Sequence, residues 1–296
     1  MSNAKPVAPA AAFAVAAIGI LVFSGMDAVM MGLVIARGVY TTMVWRSLAG
    51  TVISGVLYAA TRREWPSRAA MRLHILRGIV STVMALTFFW GLARVPMAQA
   101  IALAFIAPII ALFLAAVILK ERIPRGSIIA CVMAAGGLAL ILTGQARAEP
   151  GPEAVKGTAA ILASAVCYAF NIILMRAQAQ VARPIEVAFW QSGIVSTCLL
   201  VAAPWFAQVP DIAHAPMILL AAVLATASLL LLGWAYQHGE ASYLAPSEYS
   251  SFVWAVLLGW VVFGEALSPW TLAGAGLIVT GCLVAVRRAP VVEAAA

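Results

Sequence analysis

Long apolar stretches follow one another along this chain, separated by short polar clusters. We place them at 11–34, 41–60, 73–92, 98–119, 126–143, 157–178, 187–206, 216–236, 243–263 and 269–286. A helix crossing the hydrocarbon core of a bilayer needs about 20 apolar residues, and each stretch is close to that length. The runs are continuous, without the ten-residue alternation of apolar and polar positions that marks a membrane β-barrel. The pattern predicts an all-α polytopic membrane protein of ten transmembrane helices joined by short loops.

Composition strengthens this reading. Of 296 residues, 64% are hydrophobic and 10% are charged. A soluble domain is about half apolar and a quarter charged, and it has to cover itself with polar groups. A cytosolic enzyme, a nucleic-acid-binding domain and a disordered chain are therefore excluded. The partner the surface asks for is a lipid bilayer. The net charge of +7 then reads as loop bias and not as affinity for nucleic acid. With the N-terminus inside, twelve of the 18 Lys and Arg fall on the inner side, four outside and two within spans. Both termini are expected in the cytoplasm, as in a multi-pass protein of the bacterial inner membrane. The first stretch is longer than a signal-peptide core and carries Asp27, so we read it as a retained span. Cys131, Cys167, Cys198 and Cys282 all lie in apolar runs without a CxxC pair, and read as free thiols.

The longest polar linker, QARAEPGPEAVK from Gln145 to Lys156, follows the fifth stretch and divides the chain into two five-helix halves, 1–148 and 149–296. A shift of 144 residues lays Asp27 on Asn171, Trp90 on Trp234, Glu121 on Glu265 and Gly137 on Gly281. A shift of 145 lays Trp45-Arg46-Ser47 on Trp190-Gln191-Ser192. Rare residues matching in chain order indicate an internal repeat. A unit with an odd number of spans inserts its second copy upside down, and inverted repeats are the architecture of secondary transporters.

The sequence here resembles the drug/metabolite transporter superfamily, specifically its EamA-type ten-helix exporters. The resemblance rests on Arg77-Gly78 opening the third stretch, on FFWGLARVPMAQAIALAFIAPI (88–109), on the region of Glu121 and on the glycine-rich AAGGLALILTG after it. WAYQHGEASYLAPSEYSSF (234–252) and GEALSPWTLAGAGLIVTG (264–281) are the counterparts in the second half. It covers about 11–288. Helix four departs from its mate, with Phe252 where Pro108 aligns and Pro246 earlier. The resemblance implies a basket of helices whose cavity is lined by helices one to four and six to nine, with five and ten outside as supports. It also implies transport of small metabolites, amino acids among them.

Charges inside a span are costly, about 2.5–3.5 kcal/mol each at the centre on insertion scales. Asp27 either binds a substrate ammonium, exchanges a coupling proton, or pairs with Arg46 at similar depth. Its mate Asn171 keeps the shape without the charge. Arg46 either pairs with Asp27 and snorkels, or meets a substrate carboxylate. Arg77 and Glu248 form a gate or clamp if they face the cavity; otherwise Arg77 snorkels and Glu248 makes a structural hydrogen bond. Ser24, Tyr168 beside Asn171, and Tyr249 in the polar run 247–251 are further cavity candidates. Trp90 and Trp234 line the cavity or join the interfacial belts, where Trp45, Trp65, Trp205 and Trp270 also belong. Glu121 and Glu265 read as helix-end caps.

There is no phosphate-binding GxxxxGK[ST], no HExxH and no GxSxG, and the three histidines lie near span ends. We therefore expect no cofactor, no metal site and no enzyme. The predicted function is a secondary transporter, an exporter of neutral or aromatic amino acids and related compounds, acting as a monomer, with protons as a candidate coupling ion. The alternative within the same fold is transport of a charged nucleoside-like metabolite such as S-adenosylmethionine. Two acids against two bases favour a zwitterion. A membrane-embedded enzyme is the distant alternative.

Overall fold

The computed structural model describes residues 9–61, 65–95, 97–104, 106–120, 123, 125–145, 151–244, 247, 248, 250–264 and 269–287. Among these residues the chain is helical, with no strand. In lipid every backbone N–H and C=O needs an internal partner, and a helix supplies it. The helices are α1 (Pro9–Arg37), α2 (Val39–Thr61), α3 (Arg68–Leu92), α4 (Met97–Ala104), α5 (Ile106–Ile118) and α6 (Arg125–Gln145) in the first half. The second half holds α7 (Pro152–Ala179), α8 (Pro184–Phe206), α9 (Ala215–His238), α10 (Ala241–Leu244), α11 (Ser250–Phe263) and α12 (Pro269–Arg287). The expected boundaries hold to within a few residues. The fourth stretch contains α4 and α5, and the ninth contains α10 and α11. Among the described residues, five segments are long and apolar enough to cross a membrane: α1, α2, α3, α7, and α9 with the short turn before it (Ile212–His238).

Local chemistry sets the ends. Ser67 caps α3, its hydroxyl accepting from the Ala70 N–H at 3.1 Å. Proline opens α7 and α8, where its missing N–H costs nothing. The loop expected after α1 reduces to Gly38, at φ 79°, a conformation that glycine adopts without a Cβ penalty.

The halves interlock according to a rule. Helix α1 packs along α9, and α7 packs along α3; α2 packs along α8, α6 along α12, and α4 against α11. The secondary contacts α2–α9 and α3–α8 are also exchanged when the two halves are swapped, as are α5–α7 and α1–α11. The backbone repeats with the same shift: Lys120 (φ 56°) after α5 and Gly264 (φ 64°) after α11 are 144 residues apart, and both take a left-handed turn. The α6–α12 pair packs chiefly against itself and more lightly against α4, α5 and α11. Close crossings depend on glycine. A Cβ on Gly78 of α3 would come within 2.4 Å of Ile194 Cγ2 on α8.

Candidate functional site

A cavity of about 170 Å³ lies between the halves, walled by α1–α4, α7–α9, Glu248 and Ser251. No described residue of α6 or α12 lines it. Much of its wall is apolar, with Phe23, Phe88, Phe89, Met84 and Met175 among the lining residues. It lies on the repeat's axis of exchange, because the mirrored pairs Asp27/Asn171, Arg46/Gln191 and Ser47/Ser192 all line it.

All four ionisable residues singled out within the spans, Asp27, Arg46, Arg77 and Glu248, line this cavity. Tyr168 and Asn171 join them. Ser24 is buried but not on the wall. Trp90 and Trp234 do not line it either. The Arg94 guanidinium lies 3.5 Å above the Trp90 ring and donates to Glu153, while Trp234 stacks on His238 at 4.3 Å. Tyr249, Glu121 and Glu265 lie outside the described residues.

The four charges fall into two groups. Arg77, 3% exposed, is committed to amides: its Nε donates to Asn171 Oδ1 at 2.9 Å and its Nη1 to Gln178 Oε1 at 2.8 Å. Asn171 in turn donates to the Ser81 hydroxyl. Glu248 accepts from the hydroxyls of Tyr168 and Tyr236. Asp27 and Arg46 are different. Asp27 is 2% exposed, yet its Oδ1 has no hydrogen-bond partner. Arg46 Nε is likewise buried without one. The Asp27–Arg46 ion pair, one of the alternatives the sequence left open, does not form: the two share the cavity, but no ion pair within 4.0 Å joins them. A buried polar atom without a partner costs about 1–3 kcal/mol, and more when charged, so native proteins rarely keep one without a use for it.

The repeat explains the difference. At a shift of 144, Arg77 and Ser81, which satisfy Asn171, correspond to Ala221 and Ala225. The position equivalent to Asn171 is Asp27, and the second half carries alanine on α9 where the first half carries the polar partners of Asn171 on α3. Gln191, the mate of Arg46, also keeps an unpartnered Oε1.

Sequence reasoning missed a second layer. His74 is fully buried; its Nδ1 is 2.9 Å from Gln178 Nε2 and its Nε2 is 3.1 Å from Glu186 Oε1. Gln178, near the end of α7, and Glu186, in the first turn of α8, are brought to His74 only once α3, α7 and α8 are packed. Among the described residues no group of His, Cys, Asp and Glu is arranged to hold a metal ion.

The sequence pattern of the EamA-like transporter family matches residues 11–143 and again 155–287. A pseudopaline exporter of Pseudomonas aeruginosa is 26% identical over 249 residues, covering 82% of this chain and 84% of its own length. A riboflavin transporter of Rhizobium johnstonii is 28% identical over 234 residues, 78% of this chain and 73% of its own. One solved crystal structure superposes with a TM-score of 0.75 at 19% identity over 93% of this chain and 98% of its own, a likeness of fold. With two copies of the family's domain, this multi-pass membrane protein belongs to the EamA-like transporter family.

Proposed function

We propose that the protein is a secondary transporter that exports neutral or aromatic amino acids and related compounds by alternating access. The halves 1–148 and 149–296 would be five-span units inserted in opposite senses, with both termini in the cytoplasm of a bacterial cell and the ten spans in its inner membrane. Because two complete halves enclose one cavity, a monomer suffices.

The observation that carries the reading is the pair of unsatisfied charges in the cavity. Asp27 offers a bare carboxylate oxygen and Arg46 a bare N–H, while Arg77 and Glu248 are held by neutral partners. An α-amino acid brings one ammonium and one carboxylate, and so neutralises both at once. The apolar side chain then meets Phe23, Phe88 and Phe89. Size supports the same class. The cavity of about 170 Å³ is below the roughly 300–1,000 Å³ of pockets for drug-sized ligands, which suits one amino acid better than a nucleoside conjugate. The relatives' named cargoes, pseudopaline and riboflavin, fit a family of metabolite carriers and leave this chain's substrate to its own residues.

Counterflow in proteoliposomes tests the reading. Vesicles preloaded with unlabelled phenylalanine, tryptophan or leucine will accelerate entry of the labelled tracer. Acceleration by S-adenosylmethionine alone would overturn the amino-acid assignment.

A further inference from the structure

The buried chain Glu186–His74–Gln178–Arg77–Asn171 joins a helix end to the cavity, and its hydrogen-bond directions can be worked out. Arginine has only donors. Gln178 Oε1 accepts from Arg77 Nη1 at 2.8 Å, so the amide oxygen of Gln178 must face Arg77. Its NH₂ group therefore faces His74 Nδ1, 2.9 Å away, and donates to it. Nδ1 then carries no proton. The one ring proton of a neutral imidazole sits on Nε2 and is donated to Glu186 Oε1 at 3.1 Å. The arrangement is that of an unprotonated His74, in one tautomer.

Adding a proton breaks this order. A proton on Nδ1 turns that atom into a donor, pointed at the NH₂ of Gln178. Gln178 can satisfy the imidazolium only by rotating its amide, which turns the NH₂ toward Arg77, donor against donor. One amide oxygen cannot serve both neighbours. A proton on His74 and a hydrogen bond from Arg77 to Gln178 are therefore mutually exclusive.

We propose that His74 is a proton-binding site that controls Arg77: protonation at Nδ1 releases the Arg77 guanidinium from Gln178 and frees it for an anionic group in the cavity. This rests on the cavity being the substrate site. The proton comes from water and no other bond is made or broken. The groups facing His74 are Glu186 and the Trp190 ring from α8, Gln178 from α7 and Arg77 on its own helix. Glu186 is the counter-ion of the imidazolium. Its side chain is 12% exposed and that of His74 0%, so Glu186 is the side nearer water. Proton and substrate carboxylate then bind together, the carboxylate gaining Arg77 as a second cation beside Arg46, and Arg77 alternates between a resident partner and a transported one.

Two measurements test this, and the first needs no substrate. Nitrogen-15 NMR of histidine-labelled protein in nanodiscs reads the tautomer directly, and with three histidines the His74→Gln difference spectrum assigns the signal. At high pH we expect a neutral ring protonated on Nε2; a ring protonated on Nδ1 overturns the proposal. The second is the pH profile of counterflow. In the wild type the tracer's KM will fall roughly tenfold from pH 8 to pH 5.5, the scale of one charge-assisted hydrogen bond gained. In Gln178→Glu a carboxylate accepts from both neighbours, so Arg77 stays held and the response will flatten to within twofold. A Gln178→Glu profile as steep as the wild type's overturns the switch even where transport is normal. If no amino acid is carried, the proposed function fails while the NMR result still decides the state of His74.

Discussion

The seam where α3 meets α7 and α8 and the mirrored seam where α9 meets α1 and α2 share a backbone plan and differ in chemistry. In the first, Arg77, His74, Asn171, Gln178 and Glu186 form a continuous set of hydrogen bonds. In the second, shifts of 144 and 145 put Ala221, Ile218, Asp27, Val34 and Thr41 at the same places. The hydrogen-bonded seam is directional: its bonds have one arrangement, and each is worth only about 0.5–1.5 kcal/mol net when exchanged with water. The apolar seam is held by packing and lacks this set of hydrogen bonds at the equivalent positions. Duplication supplied two equivalent interfaces, and divergence left one hydrogen-bonded, as a latch, and the other apolar. Among the five positions compared, Asp27 is the one charge on the apolar side, and its Oδ1 is bare.

Removing the latch gives the largest expected effect. Arg77→Leu strands the amides of Asn171 and Gln178 in a buried site, at about 1–3 kcal/mol each, so thermal unfolding in detergent will show a loss of roughly 2–5 kcal/mol. Ala221→Ser, at the mirrored position, will lose about 1 kcal/mol or less. Equal losses would mean that the two seams are held in the same way.

Asp27→Asn makes the two halves alike at that position. Counterflow will fall at least tenfold, with the melting temperature unchanged or higher, because the change removes a buried charge whose Oδ1 has no hydrogen-bond partner. Normal flux in this variant would remove Asp27 from the site. A smaller effect sharpens the packing side of the comparison. A Cβ on Gly91 of α3 would lie 2.6 Å from Ile161 Cγ1 and 2.7 Å from the Gly157 carbonyl on α7. Gly91→Val will therefore cost about 1–3 kcal/mol by overpacking. Gly32→Ala, with nothing within 4 Å of the added atom, will be neutral or slightly stabilising.

Much of this was legible in the sequence, for reasons that also mark where legibility ends. Helix positions follow from runs of apolar residues, a property of each segment alone, and the boundaries agree closely. The repeat was readable because rare residues such as Trp45 and Trp190, or Asp27 and Asn171, survive at fixed spacing. The four intramembrane charges stood out because lipid makes charge expensive, and all four line the cavity. What depends on rotation about a helix axis was not legible. Trp90 and Trp234 match in register, yet both sit at helix ends off the cavity wall. Asp27 and Arg46 share a depth without forming a pair. His74 read as one more residue near a span end, and its partners lie more than a hundred positions away on other helices. Nothing local distinguishes Gln178 from an ordinary interfacial glutamine.

The smallest change tests the asymmetry most directly. Ala225 lines the cavity and corresponds to Ser81, which accepts from Asn171 in the other half. Ala225→Ser restores that hydroxyl beside the carboxylate. A serine hydroxyl both donates and accepts, so here it would donate to Asp27 Oδ1 and compete with the substrate's ammonium. We expect KM to rise about two- to fivefold, a change of about 0.4–1 kcal/mol, with stability within about 0.5 kcal/mol of the wild type. Combining it with Asp27→Asn decides whether the hydroxyl acts through the carboxylate. If it does, the serine adds nothing to the already weakened variant, and the two effects are far from additive. If the two penalties simply add, Ala225 and Asp27 belong to separate sites, and the gap beside Asp27 is not where the substrate's cation sits.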